Sequence, residues 1–157
     1  MKTILVATDY SPAAENATSY AAHLSKVMQA KLVLLNVFKL SIHASNSLAT
    51  IDQIDMKMEG SAKKLANLAI KLSREYDIEV EPVLKKDDTI ESLKNFASEH
   101  HVDLVVMGME SDLIEYKVFG NTTTEAIKLR KFPVLVVPNE SKFNGIEKIV
   151  YACESSY

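Results

Sequence analysis

Short apolar runs alternate with longer stretches of three-and-four spacing along most of this chain, and that alternation constrains the fold more than any single residue. The runs are Thr3–Thr8, Lys31–Phe38, Ile78–Leu84, Leu104–Met107 and Pro133–Val137. Thr3–Thr8 is apolar in successive positions, as in a strand buried on both faces of a parallel sheet. Ser11 and Pro12 then open a helix, the serine as N-cap and the proline in the first turn, with Ala17, Tyr20, Ala21, Leu24 and Met28 as its inner stripe. Glu15 falls one residue late for a capping box. Ile51, Ile54, Met58, Ala62, Leu65, Ala69 and Leu72 predict the sheet-facing side of a long helix whose lysines, such as Lys64 and Lys71, are solvated. Pro82 cannot donate to a central ladder, so Ile78–Leu84 reads as an edge strand. Asp88 is the expected N-cap of a helix with Ile90, Leu93, Phe96 and Ala97 on its inner face. The whole pattern predicts an α/β domain: an open parallel sheet of five strands with helices on both faces. Such sheets bind ligands at the carboxyl ends of their strands, near the switch in strand order.

Composition narrows the function classes. A chain of 157 residues with 47% hydrophobic content can build one full core, and a formal net charge of -3 offers no general attraction for nucleic acid or an anionic membrane. Neither is expected as a partner. The apolar start MKTILVATD is interrupted by Asp9 and Pro12, far short of the roughly 20 residues of a membrane span, and carries no signal-cleavage pattern. One cysteine, Cys153, excludes an internal disulfide framework, so a cytoplasmic protein is expected. His100 and His101 are adjacent and would point in different directions on a helix, which makes a poor chelate; a solvated helix end suits them better. No zinc spacing, nucleophile elbow or Walker sequence occurs, and no catalytic or metal-ligating residue is assigned.

Two stretches carry the functional signal. Residues 102–138 run from an apolar strand ending at Gly108, through a loop, to Gly120, a helix and another apolar strand. Backbone amides in a strand-to-helix loop can hold a phosphate. This loop, however, sets Glu110, Asp112 and Glu115 against Lys117 alone. The second stretch is an internal echo: the head KTILVATDYS can be laid over the tail EKIVYACESS, matching Asp9 to Glu154 and Ser11 to Ser156. Any apolar strand followed by an acid and a serine would match comparably. Together with the polar run after Val137, the echo predicts a domain at 1–138, a linker at 139–147, and the first strand of a truncated second repeat at 148–157.

ILVATDYSP, Asn36-Val37, VDLVVMG and GNTTTEAIKLRKFPVLVVP together resemble the universal stress proteins, and the resemblance spans nearly the whole chain. It implies a Rossmann-like fold of the adenine nucleotide alpha-hydrolase type, with strand order 3-2-1-4-5, dimerisation, and tandem copies in many members. It also implies ATP, with Mg²⁺, as the cofactor of nucleotide-binding members, which follow Gly-x-x-Gly, nine residues, then Gly-Ser or Gly-Thr. Carried over, the site is Asp9 near the ribose and adenine, Val37 beside the base, and Gly108, Ser111, Gly120, Asn121 and Thr122 around the phosphates. This chain departs from that pattern: Ser111 replaces the second glycine, eight residues separate it from Gly120, and Asn121 stands where serine or threonine is expected. A serine enters positive φ less freely than glycine and blocks close approach to a phosphate. Each residue also has a plainer reading: Asp9 as a helix-entry residue bonding toward Ser11, Val37 as core, and Gly108 and Gly120 as turn glycines.

The resulting expectation is a non-enzymatic stress-response module with a degenerate phosphate loop and a mainly structural role, pairing as a homodimer or with a second repeat. The alternative is an ATP-binding switch, and after it a slow nucleotide hydrolase. The polar run 41–47, with His43, is expected to be a loop long enough to be mobile or functional.

Overall fold

The computed structural model describes residues 1–38, 51–86, 88–109 and 121–150, with backbone alone at Ile51 and Asn121. Strands and helices alternate as β1 (Thr3–Ala7), α1 (Pro12–Met28), β2 (Lys31–Phe38), α2 (Ile51–Tyr76), β3 (Val80–Lys86), α3 (Thr89–Glu99), β4 (Leu104–Met109), α4 (Asn121–Lys128) and β5 (Val134–Pro138). The five strands form one parallel sheet in the order β3-β2-β1-β4-β5. The fold class and strand order expected from the sequence are those observed.

Strand alternation divides the core into two layers. Ile4 and Val6 of β1, Leu32 and Leu34 of β2 and Val106 of β4 pack against α1 and α2. Their immediate neighbours Leu5, Val33, Leu35, Val105 and Met107 pack against α3 and α4. Burying both faces of the central strands explains their unbroken apolar runs, and each fully buried Leu or Ile contributes about 1.5–3 kcal/mol. β3 lies at an edge, where Pro82 costs the ladder little.

The caps read from the sequence are present. Ser11 accepts from the Ala14 amide at 3.3 Å with Pro12 at the start of the helix, and Asp88 Oδ1 accepts from the Ile90 and Glu91 amides at 2.8 and 3.1 Å. The expected stripe of α2 holds only in its second half: Leu65, Ala69, Leu72 and Tyr76 are buried, Ile54 and Met58 are half-buried, and Ala62 is exposed. Length is the cause. At about 1.5 Å per residue the 26-residue helix measures roughly 39 Å, whereas the eight residues of β2 span about 26 Å. The helix outruns the sheet it covers.

Residues 139–150 form no helix or strand, but they do not simply leave the domain. The Asn139 amide donates to Met109 O at 2.9 Å, Asn16 Nδ2 donates to Pro138 O at 3.0 Å, and the Phe143 ring meets Tyr20 edge-on at 5.1 Å. The start of the expected linker is thus folded back onto α1. Lys148–Val150, the described part of the expected extra strand, takes no place in the sheet, and Ile149 and Val150 are 84% and 83% exposed. Among the described residues, no helix is long and apolar enough to cross a membrane.

Candidate functional site

β1 and β4 are neighbours, the connection after β1 leads toward β2 and the one after β4 toward β5 on the other side, and the strand ends there part to form a cleft of about 610 Å³. Thr8, Asp9, Tyr10 and Ser11 line it from the β1–α1 turn, Asn36, Val37 and Phe38 from the end of β2, and Met107 and Gly108 from β4. Helix starts contribute Thr89 of α3 and Thr122 and Thr123 of α4, and Ser61 of α2 faces the same space. Four residues expected at the site, Asp9, Val37, Gly108 and Thr122, are therefore brought together. Ser111, Gly120 and the 41–47 loop with His43 lie outside the described residues. Asn121 begins α4, and its backbone alone is described.

A polar lock shapes the β1–α1 turn. Asn36, 7% exposed inside an otherwise apolar strand, donates from Nδ2 to the Thr8 carbonyl at 2.7 Å. The Thr8 amide in turn donates to Leu35 O at 2.9 Å, and Thr8 Oγ1 accepts from the Tyr10 amide at 3.2 Å. Asp9 Oδ1 accepts from the Ser11 amide at 3.0 Å, so the helix-entry role of Asp9 is real and is compatible with a place on the cleft wall. Between these anchors Tyr10 adopts φ 64°, a left-handed conformation costly for an aromatic residue. Its ring lies under Lys64, whose Nζ is 3.7 Å from the ring centroid. Its hydroxyl is buried and makes no hydrogen bond among the described residues, and burial pushes its pKa above the ordinary tyrosine value.

Gly108 has a packing role. A Cβ there would collide with the Ala13 carbonyl oxygen and stand 2.6 Å from the Ala13 carbonyl carbon. The missing side chain lets the first turn of α1 sit against β4. A Gly108→Val substitution therefore perturbs the packing of α1 whether or not a ligand is bound. Thr123, 5% exposed, extends its Oγ1 toward the Gly108 carbonyl at 3.4 Å and joins the start of α4 to the same point.

Sequence reasoning passed over Thr8, Tyr10, Ser61 and Thr89 as site residues and used Asn36 only for its resemblance. Asn36 carried a signal, a polar residue near the carboxyl end of the apolar run KLVLLNVF. Ser61 carried none, because its place depends on how far α2 reaches over the strand ends.

The cleft can take a flat apolar group beside Val37, Leu35 and Met107 and a hydroxylated one among the serine and threonine side chains. This suits the base and sugar of a nucleotide. The triphosphate and Mg²⁺ implied by the resemblance fit less well: no lysine, arginine or histidine is among the described lining residues, and the small residue at 108 accommodates α1.

Fold and cleft together define an open-sheet α/β protein with a pocket at its topological switch. The universal stress protein family profile matches residues 1–138, and the chain belongs to that family. It is 26% identical over 143 residues to universal stress protein YxiE of Bacillus subtilis, covering 85% of this chain and 97% of that one. A universal stress protein family structure from Burkholderia pseudomallei superposes with a TM-score of 0.69 at 23% identity, covering 87% of this chain and 96% of the other. A family member from Arabidopsis thaliana with AMP bound superposes with a TM-score of 0.62 at 17% identity, covering 90% and 94%.

Proposed function

We propose that this chain is a non-enzymatic, cytoplasmic stress-response module in which a small nucleotide-type ligand in the cleft biases pairing of two copies through the β5 edge. One observation carries the reading: the cleft wall and the edge strand are direct register partners, Met107 with Val136 and Gly108 with Val137. A ligand pressing on the end of β4 acts on the strand beside it. β5 has no neighbour on its outer side in the described sheet, and an open edge invites a second strand. The AMP-bound Arabidopsis relative supports the ligand class.

Catalysis is not part of this reading. Asp9, the carboxylate on the described lining, accepts the Ser11 amide across its own turn, a structural role that does not require a reacting water. The partner copy is a second chain or, if the echo between head and tail is a repeat, a second domain after a linker at 139–147, with 148–157 as its first strand. The exposure of Ile149 and Val150 supports that alternative. Sedimentation of the full chain with and without adenosine or AMP tests the coupling. The expected result is a dimer whose dissociation constant moves at least about threefold on ligand addition. A monomer at every concentration, or a dimer indifferent to either compound, would sink it.

A further inference from the structure

We propose that residues 138–143 form a strap tying the α1 wall of the cleft to its β4 wall, and that docking of Phe143 on α1 and occupation of the cleft strengthen each other. The proposal rests on reading the cleft as a ligand pocket and names how that pocket is regulated.

The base of the strap touches both walls. The Asn139 amide donates to the Met109 carbonyl at 2.9 Å and carries the β4–β5 ladder one step past the pair Met109 and Pro138. The Pro138 carbonyl turns toward α1, accepting from Asn16 Nδ2 at 3.0 Å and from the Ser141 amide at 3.1 Å. These contacts sit beside the point where the Ala13 carbonyl meets Gly108. Ser11, Ala13, Ala14 and Gly108 all line the cleft. At that point α1 and β4 meet through backbone, and the strap bridges the same two elements.

The far end of the strap rests on a surface already in place. Asn16, Tyr20 and His23 fall at spacings of four and three, on one face of α1. His23 Nδ1 donates to the Ser19 carbonyl at 3.0 Å, and the Ser19 and Tyr76 hydroxyls share a hydrogen bond of 3.2 Å. Both rings are thereby oriented without help from the strap, with His23 edge-on to Tyr76 at 4.6 Å. Phe143 then lies edge-on to Tyr20 at 5.1 Å and stacked on His23 at 6.1 Å. Past it, Ile146 is 59% exposed and Ile149 84%, so among the described residues Phe143 is the last anchor.

A ligand that touches both Ser11 and Gly108 needs the two walls at one spacing. A docked strap holds that spacing beforehand, so less ordering remains to be done when the ligand binds. Linkage makes the effect reciprocal: a ligand in the cleft favours the docked strap by the same factor. The state of the segment after β5 is thereby felt at the cleft.

Calorimetric titration with adenosine and amide hydrogen exchange, both on the full chain, test the coupling. Phe143→Ala removes the anchor and Asn16→Ala the tie at the base; neither residue is on the described lining. Each variant is expected to bind adenosine at least about fivefold more weakly, with Phe143→Tyr within about twofold of the unaltered chain. Adenosine should also slow exchange of the Asn139 amide at least about threefold, and this slowing should shrink in Phe143→Ala. A strap with a purely structural role would lower the urea midpoint in these variants and move neither readout. Adenosine affinity indifferent to both alanine variants, or an Asn139 amide indifferent to adenosine, would overturn the proposal and leave the pocket standing. Tighter binding in either alanine variant would overturn it as well, since the strap would then oppose the ligand. No heat from adenosine at millimolar concentration in the unaltered chain would overturn the pocket reading and the coupling with it.

Discussion

The two ends of the sheet treat their polar groups differently. At the amino end they are satisfied within the chain: Asp103 Oδ2 accepts the Thr3 amide at 2.7 Å, and Lys31 Nζ bridges Glu81 at 2.7 Å and Glu79 at 3.2 Å. At the carboxyl end the chain bends sharply, holds Tyr10 at φ 64°, and lines a cleft with hydroxyls and one buried amide side chain. The first end is closed by polar contacts at the surface; at the second, buried hydrogen bonds fix the β1–α1 turn and Gly108 lets α1 pack against β4. The second arrangement is the one that can serve a ligand, because a cleft needs walls fixed by groups other than the ligand.

The largest expected effect lies at Gly108, where α1 packs against β4. Gly108→Val forces a side chain into the backbone of α1 and should cost about 3 kcal/mol, with Gly108→Ala nearer the low end of the roughly 1–3 kcal/mol typical of overpacking. Urea denaturation measures both, and wild-type stability in the valine variant would remove the packing account of this position. Next is Asn36→Leu, which leaves the Thr8 carbonyl without its donor and should cost about 1–3 kcal/mol while weakening any cleft ligand. An unchanged denaturation midpoint would mean that the turn is held without the lock.

The helix caps separate the cleft from simple stability. Ser11→Ala and Asp88→Ala should each cost about 1 kcal/mol, yet only the first alters the cleft lining and should change adenosine affinity. Equal effects on binding would blur the contrast. At the amino end, Lys31→Met should cost less than about 1 kcal/mol, since its ion pairs are largely solvated and salt already weakens them.

The smallest effect is on alkaline stability. Hydrogen bonds from Lys31 to Glu81 and then Glu79 raise the lysine pKa above 10.5, and burial raises that of Tyr10 above 10.0. In both cases the folded state holds its proton more tightly than the unfolded chain. Stability is therefore unaffected below these ordinary values and declines as pH rises through the folded ones. Tyr10→Phe and Lys31→Met should each flatten that decline in thermal melts above about pH 10. A profile identical to wild type in both variants would show that neither group governs it.

Much of this architecture was legible because the controlling signals are local. Apolar runs marked all five strands, Ser11 and Asp88 marked helix starts, and Pro82 marked an edge. The site was legible in part. Asp9, Val37, Gly108 and Thr122 were expected and do meet at the cleft, whereas the reason for Gly108 was not visible, since its constraint is a helix ninety-odd residues earlier in the chain. Ala62 shows the opposite failure: its spacing fits the inner stripe of α2, but the strands end before the helix does.

The amino-acid sequence by itself determined the alternation of elements, the doubly covered sheet and the acidic character of the β4–α4 connection, because hydrophobic periodicity, capping and charge act over a few residues. The tertiary structure alone decided that Asn36 locks the β1–α1 turn, that Ser61 reaches the cleft, that Phe143 folds back onto α1, and that Gly108 makes room for a helix. Those are contacts between distant parts of the chain, set by how far each element extends and where it crosses its neighbours, and no local pattern encodes such distances.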